Sequence, residues 1–259
     1  MGKGNRAKQK WGDDALLHRI GSRRLQRHIL GTLPRGPRCK VCSMPFRGVG
    51  ILLRGTGWAP SRKNPNFCRW CFEWLPDRGY KTEVGVLFAD VRGYTSLAET
   101  RGADDIARLL DRFYSLASRI IVAHDALVDK FVGDEVMALF LPSMLGEQLL
   151  PEMASVGEEL LQGVGYGSGK EPWLSLGVGM DHGEAYVGNV GPPEVKDFTA
   201  LGDVVNTASR LRDEAQPGQL VMTERVFDGA GERWSDAVPV ELRLRGKSEL
   251  VSARVVSVG

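Results

Sequence analysis

At 259 residues, 42% hydrophobic and 25% charged, the chain holds enough apolar material for one large domain, or a medium domain with an appendage. Its apolar runs fall short of the roughly 18 to 20 residues that cross a bilayer, and the N-terminus lacks the apolar segment of a secretory signal, which together point to the cytoplasm. The net charge of +2 conceals an asymmetry: residues 1–40 carry eleven Lys or Arg against two Asp, so a basic head precedes an acidic body.

Residues 1–10 are polar and basic without apolar period, the composition of a disordered tail. From Trp11 to Leu30, Leu16, Leu17, Ile20, Leu25 and Ile29 are interleaved with Arg19, Arg23, Arg24 and Arg27, which predicts a basic amphipathic helix ended by Gly31 and Pro34. Such a helix packs on its own protein, lies peripherally on an anionic membrane surface or contacts nucleic acid. Residues 1–37 form this head, and residues 38–76 a separate module.

That module holds the four cysteines of the chain, Cys39, Cys42, Cys68 and Cys71, as two Cys-x-x-Cys pairs. In a reducing compartment the pattern favours metal over disulfides. Four thiolates close a tetrahedral structural zinc site; an iron–sulfur cluster and a redox dithiol are the alternatives. The 25 residues between the pairs exceed the usual ribbon spacing of roughly 15 to 20. A segment of this size has too little core to fold alone, so a metal would staple it. Phe46, Phe67, Trp70, Phe72 and Trp74 are its expected core, and Pro60, Ser61, Lys63, Asn64, Pro65 and Asn66 mark a loop.

Residues 82–259 read as the main domain. Val84 to Ala89 is a buried strand, and Ile106, Leu109, Leu110, Phe113, Leu116 and Ile120 mark a helix from Ala103 to Ala123. Two strands, Ala126 to Phe131 and Glu135 to Phe140, pair as a hairpin through Gly133-Asp134. A helix from Glu152 to Gln162 follows, then an alternating strand at Leu174, Leu176, Val178 and Met180, with Ala185 to Val190 expected as its partner. Strand, helix, two strands, helix, strand is the ferredoxin-like order (βαββαβ) of an α+β fold. Gly163 to Lys170 imitates a phosphate loop, but Glu171 follows the lysine and Val164 stands where the first glycine belongs, so it is read as a connection.

Asp90 ends the first buried strand and Asp134 sits in the hairpin turn, so each places a carboxylate at a strand tip. Side by side they make a site for Mg²⁺ or Mn²⁺, and two such ions stabilise the attacking and leaving oxygens in phosphoryl chemistry. Asn206 and Arg210, four residues apart on a helix expected after Gly202, project from one face.

Four segments, Phe88-Ala89-Asp90-Val91-Arg92-Gly93-Tyr94-Thr95, Lys130 to Ala138, Leu201 to Arg210 and Leu244 to Lys247, together resemble a class III nucleotide cyclase catalytic domain. The resemblance implies the ferredoxin-like plan and a reaction in which the ribose 3′-oxygen of a nucleoside triphosphate attacks its own α-phosphorus. It implies Asp90, Val91 and Asp134 as residues for two Mg²⁺ or Mn²⁺ ions, and Gly93, Tyr94 and Thr95 as the triphosphate turn. Tyr94 stands where most members carry phenylalanine. Asn206 would orient the ribose, Arg210 would stabilise charge on the α-phosphate, and Lys247 matches a phosphate lysine. Lys130 with Thr199 corresponds to the adenine-reading pair, so ATP is the expected substrate and cyclic AMP the product. Metal and transition-state residues come from different subunits in the family, which implies a head-to-tail homodimer.

Three other readings stay open. Tyr94 leaves room for the related pyrimidine cyclases of phage defence, acting on UTP or CTP. A dimeric scaffold whose zinc-bearing head binds nucleic acid would show strong salt dependence. A diguanylate cyclase fits less well, because Val132 to Val136 lacks its paired glycines and following phenylalanine.

Overall fold

The structure, a computed structural model, describes residues 38–39, 42, 44–48, 51–52, 55, 57–61 and 65–73 of the cysteine segment, and then 79–192, 197–231 and 233–259. The tail of residues 1–10, the basic helix expected from Trp11 to Leu30, and Lys63, Asn64 and Trp74 lie outside the described residues. The described residues form two compact units, one comprising those from Arg38 to Thr82 with those of Tyr186–Leu201, the other those of Glu83–Ala185 with those of Gly202–Gly259. In chain order the elements are α1 (Arg69–Glu73), β1 (Tyr80–Val91), α2 (Tyr94–Thr100), α3 (Ala103–Ala123), β2 (Leu127–Val132) and β3 (Glu135–Phe140). They continue with α4 (Pro142–Leu145), α5 (Leu149–Val164), β4 (Leu176–Val190), β5 (Asp197–Leu201), α6 (Asp203–Glu214), β6 (Gln219–Thr223), α7 (Glu224–Ala230), β7 (Val238–Leu242) and β8 (Val251–Ser257).

The sheet runs in the order β2-β3-β1-β4-β6-β8-β7, with β5 paired to β4 off this path. Its first four strands, 2-3-1-4, with α3 and α5 as the crossovers, are the expected ferredoxin-like arrangement. β3 lies antiparallel between β1 and β2, whereas β4 and β6 run parallel. Leu87, Phe113, Ile121, Phe140, Met153, Leu160, Leu176, Met180 and Leu220 meet in the main core, each fully buried apolar side chain contributing about 1.5–3 kcal/mol. α3 and α5 supply that face. The opposite face carries a smaller cluster in which Leu211 and Ala215 from α6 and its end meet Val221, Leu244 and Ala253.

Local chemistry sets the helix ends. Asp104 and Asp105 lie in the first turn of α3, where the helix dipole favours negative charge. α5 runs from Leu149 to Val164, longer than expected at both ends, and stops at Gly165, whose left-handed backbone (φ 119°) lets its N–H reach the Gln162 carbonyl at 2.9 Å. The loop that imitates a phosphate motif therefore opens as a helix cap.

Two expectations need correction. The strand at Leu176 to Met180 does not turn back at Asp181-His182-Gly183; β4 continues unbroken to Val190, and the partner of its distal half is β5, with Gly188 opposite Thr199. Asp181, a turn residue by habit, stays in the strand because its carboxylate accepts hydrogen bonds from the Thr223 hydroxyl and the His182 N–H, each at 2.8 Å. Burial pushes its carboxyl up to about 6. In the cysteine module Phe46 and Phe67 are buried as expected, but Trp70 is 45% exposed; Met44 and half-buried Trp58 join the cysteines instead. Among the described residues no helix is long and apolar enough to cross a membrane.

Two contacts fix the helices to the sheet and to each other. A Cβ at Gly179 of β4 would lie 2.0 Å from the Arg212 backbone nitrogen and 2.5 Å from the Ala208 carbonyl oxygen, so α6 seats on the sheet only because this residue has no side chain. Gly179→Ala must move backbone against backbone and should cost about 3 kcal/mol or more, read as a lower denaturant midpoint in urea unfolding. His124, at the end of α3, bridges Glu152 and Glu159 of α5 at 2.5 and 3.0 Å. Burial alone would lower its pKa, but the bonds to the two glutamates raise it above the ordinary 6.5. The staple is therefore complete below pH 6.5 and is lost as pH rises through the folded-state pKa. The stability gap between wild type and His124→Gln should be widest at about pH 6 and shrink toward alkaline pH, as measured by urea unfolding across that range.

Candidate active site

The β1–β3 pairing creates the site. Asp90 and Glu135 face each other in register, and the Val91 N–H donates to the Asp134 carbonyl at 3.4 Å, so the turn between β2 and β3 sits against the end of β1. Tyr114 of α3 braces that turn: its hydroxyl donates to the Gly133 carbonyl, and its ring stacks on Phe131 with centroids 4.3 Å apart. Burial and the negative charge of Asp90 push the Asp134 carboxyl above the usual range, and burial does the same to Glu135.

Hard carboxylate oxygens gathered on adjoining strand ends, with Asp134 strained electrostatically by Asp90, are a donor set that fits Mg²⁺ or Mn²⁺. The site's positive charge comes from the protein's own arginines. Arg92 Nη2 pairs with Asp90 Oδ1 at 3.0 Å. Arg212 Nη1 pairs with Asp90 Oδ2 and, at 2.9 Å, with Glu135. Gly93 takes the left-handed conformation (φ 72°) and α2 starts at Tyr94, as the glycine-bounded turn predicts; Tyr94 leans on the main core.

Asn206 and Arg210 both lie on α6, Asn206 exposed and Arg210 half-buried. The loop after β7 comes to the same helix: a Cβ at Gly246 would lie 3.2 Å from Arg210 Nη2, and Lys247 Nζ donates to Asp203 in the first turn. Arg210, Lys247 and the start of α6 are thus gathered together. Lys130 follows a β-bulge in which Asp129 is the extra residue, for Val128 pairs with Ala138 and Lys130 with Met137. Thr199 belongs to the other unit, where it is a buried residue of β5 opposite Gly188.

In that unit the four cysteines form a cluster whose sulfurs all lie within 4.8 Å of one another. None is in a disulfide. Cys42 and Cys68 sulfurs are 3.7 Å apart, close to the edge of roughly 3.8 Å expected for a tetrahedron with metal–sulfur bonds of about 2.3 Å. The Cys71 N–H points at Cys68 Sγ at 3.4 Å, and hydrogen bonds from the other three thiols hold the Cys39 thiol down. The donor set suits a soft or borderline ion. Beyond it, Gly79 is held under Tyr186, whose hydroxyl accepts from the Gly79 N–H at 2.7 Å.

A family model described as the adenylate and guanylate cyclase catalytic domain matches residues 78–252. The chain belongs to this family. The match begins after Cys71, the last of the four cysteines. The uncharacterized protein Rv1320c of Mycobacterium tuberculosis is 33% identical over 175 residues, which cover 64% of this chain and 30% of that protein. Rv1318c of the same organism is 30% identical, with 64% and 31% covered. The chain thus matches under a third of the length of these relatives. Among solved structures, the guanylyl cyclase Cya2 superposes with a TM-score of 0.62 at 25% identity, covering 70% of this chain and 95% of that one. The adenylyl cyclase CyaB from P. aeruginosa gives 0.61 at 26%, covering 69% and 96%. Class III cyclases use Mg²⁺ or Mn²⁺ and bind nucleoside triphosphates.

Arg92, Glu135, Tyr114 and Arg212 had no assigned part in the sequence reading. Glu135 follows Asp134 directly, and strand pairing explains its place beside Asp90. Arg212 carries no such local signal, because only the packing of α6 on β4 brings it to β1.

Proposed function

We propose that this chain is an adenylate cyclase that converts ATP to cyclic AMP and pyrophosphate as a head-to-tail homodimer in the cytoplasm. The observation that carries the reading is the two-sided character of α6. Arg212 turns toward its own chain's Asp90, and residues two apart on a helix are separated by about 200° around the axis. Arg210, with Asn206 one turn earlier, therefore faces away from the carboxylates of its own chain. A second copy would bring these side chains to the metal residues of the first, and twofold symmetry would then make two equivalent sites from one interface.

In this reading Asp90, Val91 and Asp134 hold two Mg²⁺ or Mn²⁺ ions, which would lower the pKa of the ribose 3′-hydroxyl and offset the charge of the triphosphate. Gly93, Tyr94 and Thr95 receive the triphosphate and Lys247 pairs with a phosphate. Asn206 fixes the ribose. The 3′-oxygen loses its proton and bonds to the α-phosphorus, while the oxygen bridging to the β-phosphorus leaves with pyrophosphate. Arg210 stabilises the negative charge that builds on the α-phosphate, with a planar fork suited to two directed bonds. The base preference rests on Lys130 donating to adenine N1 and the Thr199 hydroxyl accepting from the 6-amino group, since Cya2 and CyaB differ in the base they take. The cysteine cluster is read as a structural zinc site that completes the small module around it.

The deciding experiment incubates the purified protein with ATP, GTP, CTP and UTP separately, in Mn²⁺ and in Mg²⁺, and identifies products by mass spectrometry. Cyclic AMP should dominate; cyclic GMP, UMP or CMP instead would overturn the base reading, and no product from any of them would count against catalysis. Asp90→Ala and Arg210→Ala chains, each inactive alone, should regain turnover when mixed, and heterodimers that stay inactive would refute the shared site. Elemental analysis should find about one zinc per chain, lost in Cys71→Ser; an iron–sulfur absorption band would replace zinc by a cluster.

A further inference from the structure

The Arg212 guanidinium lies between two sets of acceptors. Toward the strands it pairs with Asp90 Oδ2 and Glu135 Oε2. Along its own helix, Nε donates to the Ser209 carbonyl at 3.2 Å, and Nη2 reaches Ser209 Oγ at 3.1 Å and Asp213 at 3.3 Å. Arg92 holds the other Asp90 oxygen. Both oxygens of a carboxylate placed to hold a divalent cation are therefore covered by guanidinium groups. The Asp90 and Arg212 side chains expose only 17% and 15% of their surface, so solvent screens this pair less than a surface ion pair.

We propose that Arg212 is an internal counter-ion of the metal site, a positioning residue that occupies Asp90 until a divalent cation displaces it. The inference rests on the reading of Asp90 and Asp134 as metal carboxylates. A guanidinium and a metal ion cannot share Asp90 Oδ2, because like charges at that distance repel strongly where water is scarce. The ion binds only the fraction of molecules in which Arg212 has let go, and its apparent affinity falls by that fraction.

Release does not require α6 to move. The helix backbone at Arg212 is pressed against Gly179 of β4, so the main chain is fixed and the change is a rotation of the side chain between rotamers. Asp213 and Ser209 already accept from the guanidinium and would keep it satisfied on the helix once Asp90 is given up. Without Arg212, Asp90 and Glu135 would confront each other across the strand pair with only Arg92 to offset them. The arginine thus stabilises the empty site at the expense of metal affinity.

The test follows Mn²⁺ binding to the full chain without nucleotide, through the electron paramagnetic resonance of free Mn²⁺, in wild type, Arg212→Gln and Asp90→Ala. Arg212→Gln should bind Mn²⁺ about threefold to tenfold more tightly, and Mn²⁺ should raise its melting temperature more than it raises that of wild type. An affinity unchanged or weakened, with an equal rise in melting temperature, would overturn the proposal and leave Arg212 a brace between helix and strands. Should Arg212→Gln fail to fold, Arg212→Met, which keeps much of the stem's packing but carries no charge to pair with Asp90 and Glu135, is read the same way. Wild-type binding retained by Asp90→Ala would place the ion elsewhere and bring down the metal reading itself, an outcome separate from a site that binds Mn²⁺ indifferently to Arg212.

Discussion

Negative charge concentrated at one end of the β1–β3 pair is the constraint around which this domain is arranged. Antiparallel register sets Asp90 opposite Glu135, and the tight turn adds Asp134 beside them. Three carboxylates so close, and partly withdrawn from water, repel one another unless cations stand near. The chain answers with two arginines from different places, Arg92 from the end of β1 and Arg212 from a helix more than a hundred residues later. Packing of α6 against Gly179 is what delivers the second, so seating of this helix and neutralisation of the strand ends are one event.

The same helix organises the remaining residues of interest. One side of α6 supplies Leu211 to the smaller core and Arg212 to the carboxylates, while Asn206 stays exposed and Arg210 lies against Gly246. Lys247, tied to Asp203, joins them from the loop after β7. A twelve-residue helix thus separates functions by angle around its axis.

Much of this was legible in the chain because it is local. The 3.6-residue period of α3 was complete enough to bound it at Ala103 and Ala123, and the apolar runs around Gly133-Asp134 predicted the hairpin that the structure contains. Motif spacing led to the cyclase fold. What escaped was what depends on contacts distant in sequence. Asp181-His182-Gly183 has the composition of a turn, and Thr223, brought alongside by the parallel pairing of β4 with β6, supplies the long-range hydrogen bond that helps to keep Asp181 in an extended strand. Trp70 lies beside Cys68 and Cys71 in sequence and is expected in the module's core on that ground, whereas the cysteines recruit Met44 and Trp58. Arg212 belongs to the same class: nothing within its helix distinguishes it from a solvated arginine.

The bulge at Asp129 gives one residue a hold over what β2 presents. A strand that closed the bulge by slipping its pairing one place would retain every side chain from Lys130 to Val132 and turn each to the opposite face of the sheet. The face that each of these side chains takes is therefore set by the pairing register and not by the identity of the residue. A comparison of aligned side-chain identities would miss the event, because the letters from Lys130 to Val132 would be the same.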